Sequence, residues 1–261
     1  MTDDDDQRRE PLPGVANFRD YGGYATASGA RIRRGLLYRS GHLGELQAQG
    51  HGRLAALDLA GVIDLRHGSE RTASPSAWPI GFAATILHAG DAGGQTPHPV
   101  AARSAGTPDE ARARMAAIYA KLPFTPTFVP ALQIYFKALA SLSGPSLVHC
   151  MAGKDRTGLA VALLHSLMGV HPDDVVGEYL LTNDALTAQA LNGSVAKLRK
   201  AGSAPVMAPE TLQVILSVEP AYLHAAWRVI VERHGSISRY LRDVLEVGDE
   251  RRAAIERRLI G

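Results

Sequence analysis

A cysteine and an arginine six positions apart are the residues of this 261-residue chain best suited to chemistry. The segment VHCMAGKDRTG, residues 148–158, holds the only cysteine, Cys150, then five residues, then Arg156, Thr157 and Gly158. The apolar stretch PSLVHC before it reads as a strand, and TGLAVALLHSLMGV after it reads as a helix. The peptide amides between the two must therefore turn at a helix N-terminus. That arrangement aims several N–H groups and the positive end of the helix dipole at one point, a ready anion site. A thiol in such a field loses its proton more readily, and a thiolate is the attacking species. Arg156 adds a planar fork of donors matched to two oxygens of a phosphate. Met151, Ala152, Gly153, Lys154, Asp155 and Arg156 form the expected phosphate cradle. Gly153 lets the loop curl, and Gly158 permits close helix packing. Thr157 is expected to hydrogen-bond the sulfur and ease its departure, while His149 orients the loop from behind. The chemistry implied is nucleophilic displacement at a phosphate monoester.

A lone cysteine is usually a small buried hydrophobe. Here six specified positions (His149, Cys150, Gly153, Arg156, Thr157 and Gly158) coincide in the strand–loop–helix context that the chemistry demands, and the catalytic reading is the better one.

The elements around the loop read as one domain over residues 14–261, long enough for a substantial core. Residues 1–13 read as a solvated acidic tail, with Asp3, Asp4, Asp5 and Asp6 too charged to pack. Residues 17–40 alternate turn glycines with short apolar pieces, which suggests a small antiparallel excursion. A helical pattern covers 45–60. GVIDLR (61–66) is a short buried strand ending in charge, and FAATILHAGD (82–91) is the next strand. Residues 93–108, rich in Gly, Pro, Ala and Ser, read as a mobile surface segment. Helices follow in ARARMAAIYAKLP, stopped by Pro123, and in FVPALQIYFKALA. From His171 onward the pattern is helical with breaks at Pro205, Pro209 and Pro220.

Composition narrows the function. The formal net charge is +2, and the four tail aspartates contribute −4, so the body carries about +6. A mildly basic body suits an anionic substrate but falls short of a nucleic-acid footprint. One cysteine excludes an internal disulfide framework and a cysteine-built zinc site. The histidines lack ligand spacing, so no metal is assigned. No apolar run reaches membrane-spanning length, and the N-terminus lacks the order of a signal peptide. A cytoplasmic address is the default, with export by a non-classical route left open.

HCMAGKDRTG resembles the HCxxGxxR[ST]G signature of the protein tyrosine phosphatase superfamily. Its KDRTG version is similar to the bacterial branch that contains mycobacterial protein tyrosine phosphatase B and related lipid-active phosphatases. NFRDYGGY, GLLYRSGHL, VIDLRHGSE and AYLHAAWRVIVERHGSISRYLRD resemble the same branch, so the likeness runs from about Pro13 to the C-terminus. It implies an α/β fold: a central, mostly parallel sheet of four to five strands flanked by helices. It also implies a helical lid inserted at about 92–130, a phosphocysteine intermediate hydrolysed by water, and no metal or cofactor. The substrates implied are phosphorylated proteins, phosphotyrosine foremost with phosphoserine and phosphothreonine beside it, or phosphoinositides. A lysine at the place of Lys154 is thought to meet extra inositol phosphates in lipid-active relatives; the alternative is a lysine solvated at the cleft rim. The general acid is expected to be Asp91, which ends the strand at 82–91 and resembles the loop aspartate of the mycobacterial relative. Asp155 is its rival, with a brace or helix cap as its alternative role.

Asp64, Arg66 and Glu70 are expected to form a salt-bridged scaffold beneath the loop, Glu70 pairing with a basic group and holding it still. Arg39 and Ser40 read as a turn that braces the core. Met115, Ile118, Tyr119 and Leu122 fall at helical spacing, either a core-facing stripe or part of the lid. Two competing functions remain: a phosphate-binding module without turnover, against which intact Cys150, Arg156 and Thr157 argue, and a rhodanese-like sulfurtransferase, which has no strict need for Arg156. Nothing in the sequence sets an oligomeric state.

Overall fold

In the computed structural model, which describes residues 11–90, 105–185 and 208–261, the segment before Cys150 is the middle strand of a five-stranded sheet. The strands are β1 (Arg19–Asp20), β2 (Leu37–Ser40), β3 (Gly61–Asp64), β4 (Thr85–His88) and β5 (Ser146–His149). They lie in the order β1-β2-β5-β3-β4, all parallel except the antiparallel β1–β2 pair. This is the expected α/β architecture. Every residue of β3 and β5 is buried, which is why GVID and SLVH show no polar alternation. The pleat still sorts their side chains. Val62 and Leu147 join Leu54 and Phe18 on one face, whereas Ile63 and Val148 join the larger core on the other.

The helices are α1 (Ala48–Ala56), α2 (Gly68–Ala73), α3 (Pro108–Lys121), α4 (Phe128–Ser141) and α5 (Asp155–Leu167), then α6 (Pro172–Ala185), α7 (Pro209–Leu216), α8 (Pro220–His234), α9 (Ile237–Asp243) and α10 (Asp249–Leu259). A short 3-10 turn, Leu122–Phe124, ends α3 at Pro123. Helix α5 is buried on all sides from Arg156 to His165, as befits an apolar helix behind a central strand. Pro209 and Pro220 do not interrupt helices; they open α7 and α8, where a missing N–H costs nothing. Pro205 lies outside the described residues.

Three expectations are corrected. Arg39 and Ser40 are not a turn: they are the last residues of β2, fully buried, because β2 is an interior strand paired along its length with β5. The tail does not run to residue 13, since Leu12 is buried against Val15, Phe18, Leu43 and Leu46 and bridges Val15. An apolar side chain between two prolines gains more from that cluster than from water. Within the expected 82–91 strand the paired residues are those of β4, an edge strand with three of four residues exposed, so it needs no apolar run. Met115, Ile118, Tyr119 and Leu122 all belong to the main core, and α3 packs against α7 and α8. Much of 93–108 falls outside the described residues. Among the described residues no single helix is long and apolar enough to cross a membrane.

Candidate active site

Ser40, His149 and Asp64 end three neighbouring strands at one level of the sheet. Cys150 therefore emerges at the carboxyl edge of the middle strand, where open α/β sheets place their ligands. Its side chain is buried, with 3% exposure. The loop that follows curls through Gly153 at φ +65°, and a Cβ there would lie 2.3 Å from the Ser40 carbonyl oxygen. Only glycine fits. Among the described residues none of the amides of residues 151–156 donates a hydrogen bond, although the carbonyls of Met151 and Gly153 are both engaged. These N–H groups, the last two in the first turn of α5, are left as unspent donors at a helix N-terminus, an arrangement that suits an anion. Gly158 serves as expected too: a Cβ there would press to 2.9 Å of the Tyr179 ring, so its absence lets α5 and α6 close up.

Arg156 is held by Glu70. Nη1 donates to Oε2 at 2.6 Å, Nη2 donates to Oε1 at 2.7 Å, and Nη1 also reaches the Leu65 carbonyl at 3.2 Å. Burial would lower the arginine, but Glu70, with Cys150 and Asp155 nearby, holds it above its ordinary range. The carboxylate occupies the Nη1–Nη2 edge of the guanidinium. Nε–H and the remaining Nη2–H have no acceptor among the described residues, and these two make the other planar fork. Glu70 thus fixes the arginine from one edge while the second edge stays free for a bidentate anion. The expectation that Glu70 would steady a basic group identified the device without its partner.

Beneath the loop, Arg66 donates to both Asp64 oxygens, with Nη2–Oδ2 at 2.7 Å, and also to Ser74 and Ser76. His149 lies behind the cysteine as expected, its Nδ1 3.2 Å from the Cys150 carbonyl and its Nε2 3.7 Å from Asp64 Oδ2. Burial pushes His149 down to about 4, so it is neutral at physiological pH. Burial alone would raise Asp64, but its basic neighbours bring it below the usual value. His149, charged at the low pH where Asp64 titrates, and then Arg66 are those neighbours.

Two loop residues depart from expectation. Thr157 Oγ1 is buried and makes no hydrogen bond among the described residues, so it does not hydrogen-bond the sulfur here. A β-branched side chain has few staggered positions in which to present its hydroxyl. Lys154 is neither solvated at the rim nor turned toward the loop's mouth. Its Nζ donates to the carbonyls of Ile215, at 2.5 Å, and Ser217, at 3.2 Å, and the residue is 3% exposed. A cation there meets the unpaired carbonyls and negative dipole end of α7.

Behind the loop lies a cluster that sequence reading missed. Glu178 of α6 accepts from Arg19 Nε at 2.7 Å and from Arg39 Nη1 at 2.6 Å. Arg39 Nη2 and Asn17 Nδ2 then donate to the Gly153 carbonyl at 2.6 and 2.7 Å. Arg39 on β2 and Asn17 in the turn before β1 thereby hold this carbonyl. Burial would raise Glu178, but Arg19 and then Arg39 pull it down to about 2. Because the folded value lies below the ordinary 4.5, its contribution to stability is complete above that pH and is lost as pH falls through about 2. Glu178→Gln, which leaves two buried cations undercompensated, is expected to cost about 3–5 kcal/mol in urea unfolding at pH 7. The variant's stability should also fall less steeply on acidification. An unchanged unfolding midpoint and slope would deny the cluster any net worth.

Asp155 is the first residue of α5. Its Oδ1 accepts from Tyr119 of α3 at 2.8 Å and lies 3.6 Å from Lys154 Nζ. Asp91 lies outside the described residues.

A thiol among free amides, with an arginine offering an open fork, is a site for a phosphate ester, and the comparisons with known proteins agree. A protein of Cupriavidus necator named for tyrosine-protein phosphatase activity is 36% identical over 240 residues, covering 89% of this chain and 82% of its own length. The triple specificity protein phosphatase PtpB of Mycobacterium tuberculosis is 32% identical over 261 residues, covering 89% of this chain and 92% of its own. The profile of the tyrosine phosphatase family matches residues 10–261, from the Leu12 anchor to the last helix, so the likeness includes the scaffold as well as the loop. This chain belongs to the tyrosine phosphatase family.

Proposed function

We propose that the chain hydrolyses phosphate monoesters in two displacements at Cys150. The sulfur of the thiolate bonds to phosphorus as the bond to the leaving oxygen breaks, and that oxygen takes a proton from an aspartate. A water oxygen then bonds to phosphorus, the S–P bond breaks, and inorganic phosphate leaves. The amides of 151–156 and the free edge of Arg156 hold the equatorial oxygens throughout, where charge grows in the transition state. The observation that carries this reading is the set of undonated loop amides beside an arginine that Glu70 has already aligned. Release of phosphate from p-nitrophenyl phosphate, blocked by vanadate and untouched by chelators, is the expected result. Vanadate binding without turnover would make the chain a phosphate-binding module, and sulfur transfer from thiosulfate would make it a sulfurtransferase.

The substrates proposed are phosphotyrosine first, then phosphoserine and phosphothreonine, in line with the three specificities in the mycobacterial relative's name. Phosphoinositides are proposed as a further class. Lys154 bears on that class. Its ammonium is engaged by two carbonyls, so Lys154→Ala is expected to lower turnover by a similar few-fold factor on aryl phosphates and on mono- and polyphosphorylated inositides. A loss that grows with the number of substrate phosphates would instead show that the lysine leaves Ile215 and Ser217 to meet the substrate.

A further inference from the structure

Asp155 ends a chain of hydrogen bonds that begins two helices away. Tyr179 of α6 donates its hydroxyl to that of Tyr119 at 2.7 Å, and Tyr119 donates to Asp155 Oδ1 at 2.8 Å. Both rings are fully buried, meeting edge to face at 6.2 Å, and Tyr222 of α8 packs on Tyr119 at 5.7 Å. Burial, and after it the charge of Asp155, holds both phenols well above the ordinary tyrosine value, so each keeps its proton and acts as a donor.

Proton counting fixes the direction of the chain. A phenol has one proton to donate. Tyr179 gives its own to Tyr119, and Tyr119 gives its own to Oδ1. Lys154 Nζ faces the same oxygen at 3.6 Å. Oδ1 is thereby the acceptor oxygen, facing one donor and one cation, and is the less favourable of the two for a proton while the chain is intact. Oδ2 has no hydrogen-bond partner among the described residues. The charged and titratable groups around this carboxyl are Lys154 and Arg156 on its own segment, Tyr119 on α3, Tyr179 on α6 and Tyr222 on α8.

We propose that Tyr119, backed by Tyr179, is a positioning residue of the reaction: by capping Oδ1 it leaves Oδ2 of Asp155 as the oxygen that exchanges protons with the leaving group and the attacking water. The inference rests on the phosphatase reading and assigns the proton to the second of the two aspartates that the sequence offers. Oδ2–H protonates the departing oxygen as its bond to phosphorus breaks. The carboxylate then takes a proton from the water whose oxygen bonds to phosphorus as the thiolate leaves, which restores the starting state. Tyr119 neither gains nor loses a proton in either step. It keeps one carboxyl oxygen from rotating into the other's place.

The experiment compares Tyr119→Phe, Tyr179→Phe, Asp155→Asn and Asp91→Asn on aryl phosphates of rising leaving-group basicity. It adds pH–rate profiles and tungstate binding. Tyr119→Phe is expected to lose about tenfold in kcat/KM on phenyl phosphate but only about twofold on p-nitrophenyl phosphate, because the more basic phenoxide needs the proton more. Its basic limb should shift while tungstate binds as before. Tyr179→Phe, which touches no residue of the loop's own hydrogen bonds to Asp155, should show the same trend at smaller size, and it carries the test if Tyr119→Phe fails to fold. Asp155→Asn should show the trend in full. Equal losses across leaving groups for both tyrosine variants would overturn the proposal. So would a leaving-group trend in Asp91→Asn that is missing from Asp155→Asn. Either result leaves the phosphatase reading standing, whereas an Asp-intact, Cys150-intact protein with no turnover would remove that reading itself.

Discussion

Cys150→Ser is expected to abolish turnover, by about 10⁴-fold or more, and to leave oxyanion binding intact. The two outcomes separate because nucleophile and cradle are different parts of the loop. Sulfur supplies the attacking pair as a thiolate, and a serine hydroxyl remains a neutral alcohol unless a neighbouring base takes its proton. The adjacent imidazole, that of His149, cannot do so. His149 has its Nδ1 on the Cys150 carbonyl and its Nε2 toward Asp64, and it is fully buried behind the loop. The cradle, by contrast, depends on Gly153, on the clamp from Arg39 and Asn17 at its carbonyl, and on Arg156 held by Glu70. Among the described residues none of these hydrogen-bonds the sulfur, and oxygen for sulfur is a small change in volume. Tungstate affinity should therefore stay within about threefold of wild type by titration calorimetry. Residual turnover above about one per cent would mean that another residue attacks.

The parts of this site that were legible in the sequence are those set by near neighbours. An apolar strand, a loop with glycine at its tightest bend and an apolar helix lie within 146–167, so the turn of the backbone and its row of amides followed from local pattern. The other half depends on contacts across the fold. Arg156 and Glu70 are 86 positions apart, Lys154 and Ile215 are 61 apart, and Arg19 and Glu178 are 159 apart. No periodicity relates such pairs. Arg39 shows the cost most plainly. Read along the chain, YRS between Leu37 and Gly41 looks like polar punctuation. Its burial follows only from β2 pairing with β5, which is set by strand order. Lys154 is the complementary case: it lies in the loop itself, yet its length lets it reach the end of α7, a helix that local pattern could not bring there.

Arg156→Lys is expected to fail almost as badly as Arg156→Ala, each losing about 10²–10³-fold or more in kcat/KM. Charge alone would predict otherwise, since both side chains are cations. Geometry decides. In the proposed reaction Arg156 performs two tasks at once: its Nη1–Nη2 edge is fixed by Glu70 at 2.6 and 2.7 Å, and its Nε–Nη2 edge would take two phosphate oxygens. A lysine ammonium is a single centre that cannot be gripped on one edge and offered on another. In the buried pocket beside Glu70 it would settle on the carboxylate, and the phosphate would lose both donors of the fork. The kinetic signature should follow. An interaction that strengthens as charge builds on the equatorial oxygens is lost mainly from kcat, while the loop amides, unaltered, keep ground-state binding nearly intact. Glu70→Gln gives the companion result, because it keeps the shape of the contact but removes its charge. It should loosen the guanidinium and lower kcat by a smaller factor, with no further loss when combined with Arg156→Lys. A lysine variant with near-normal kcat would show that a point charge suffices and that the open fork has no part in the transition state.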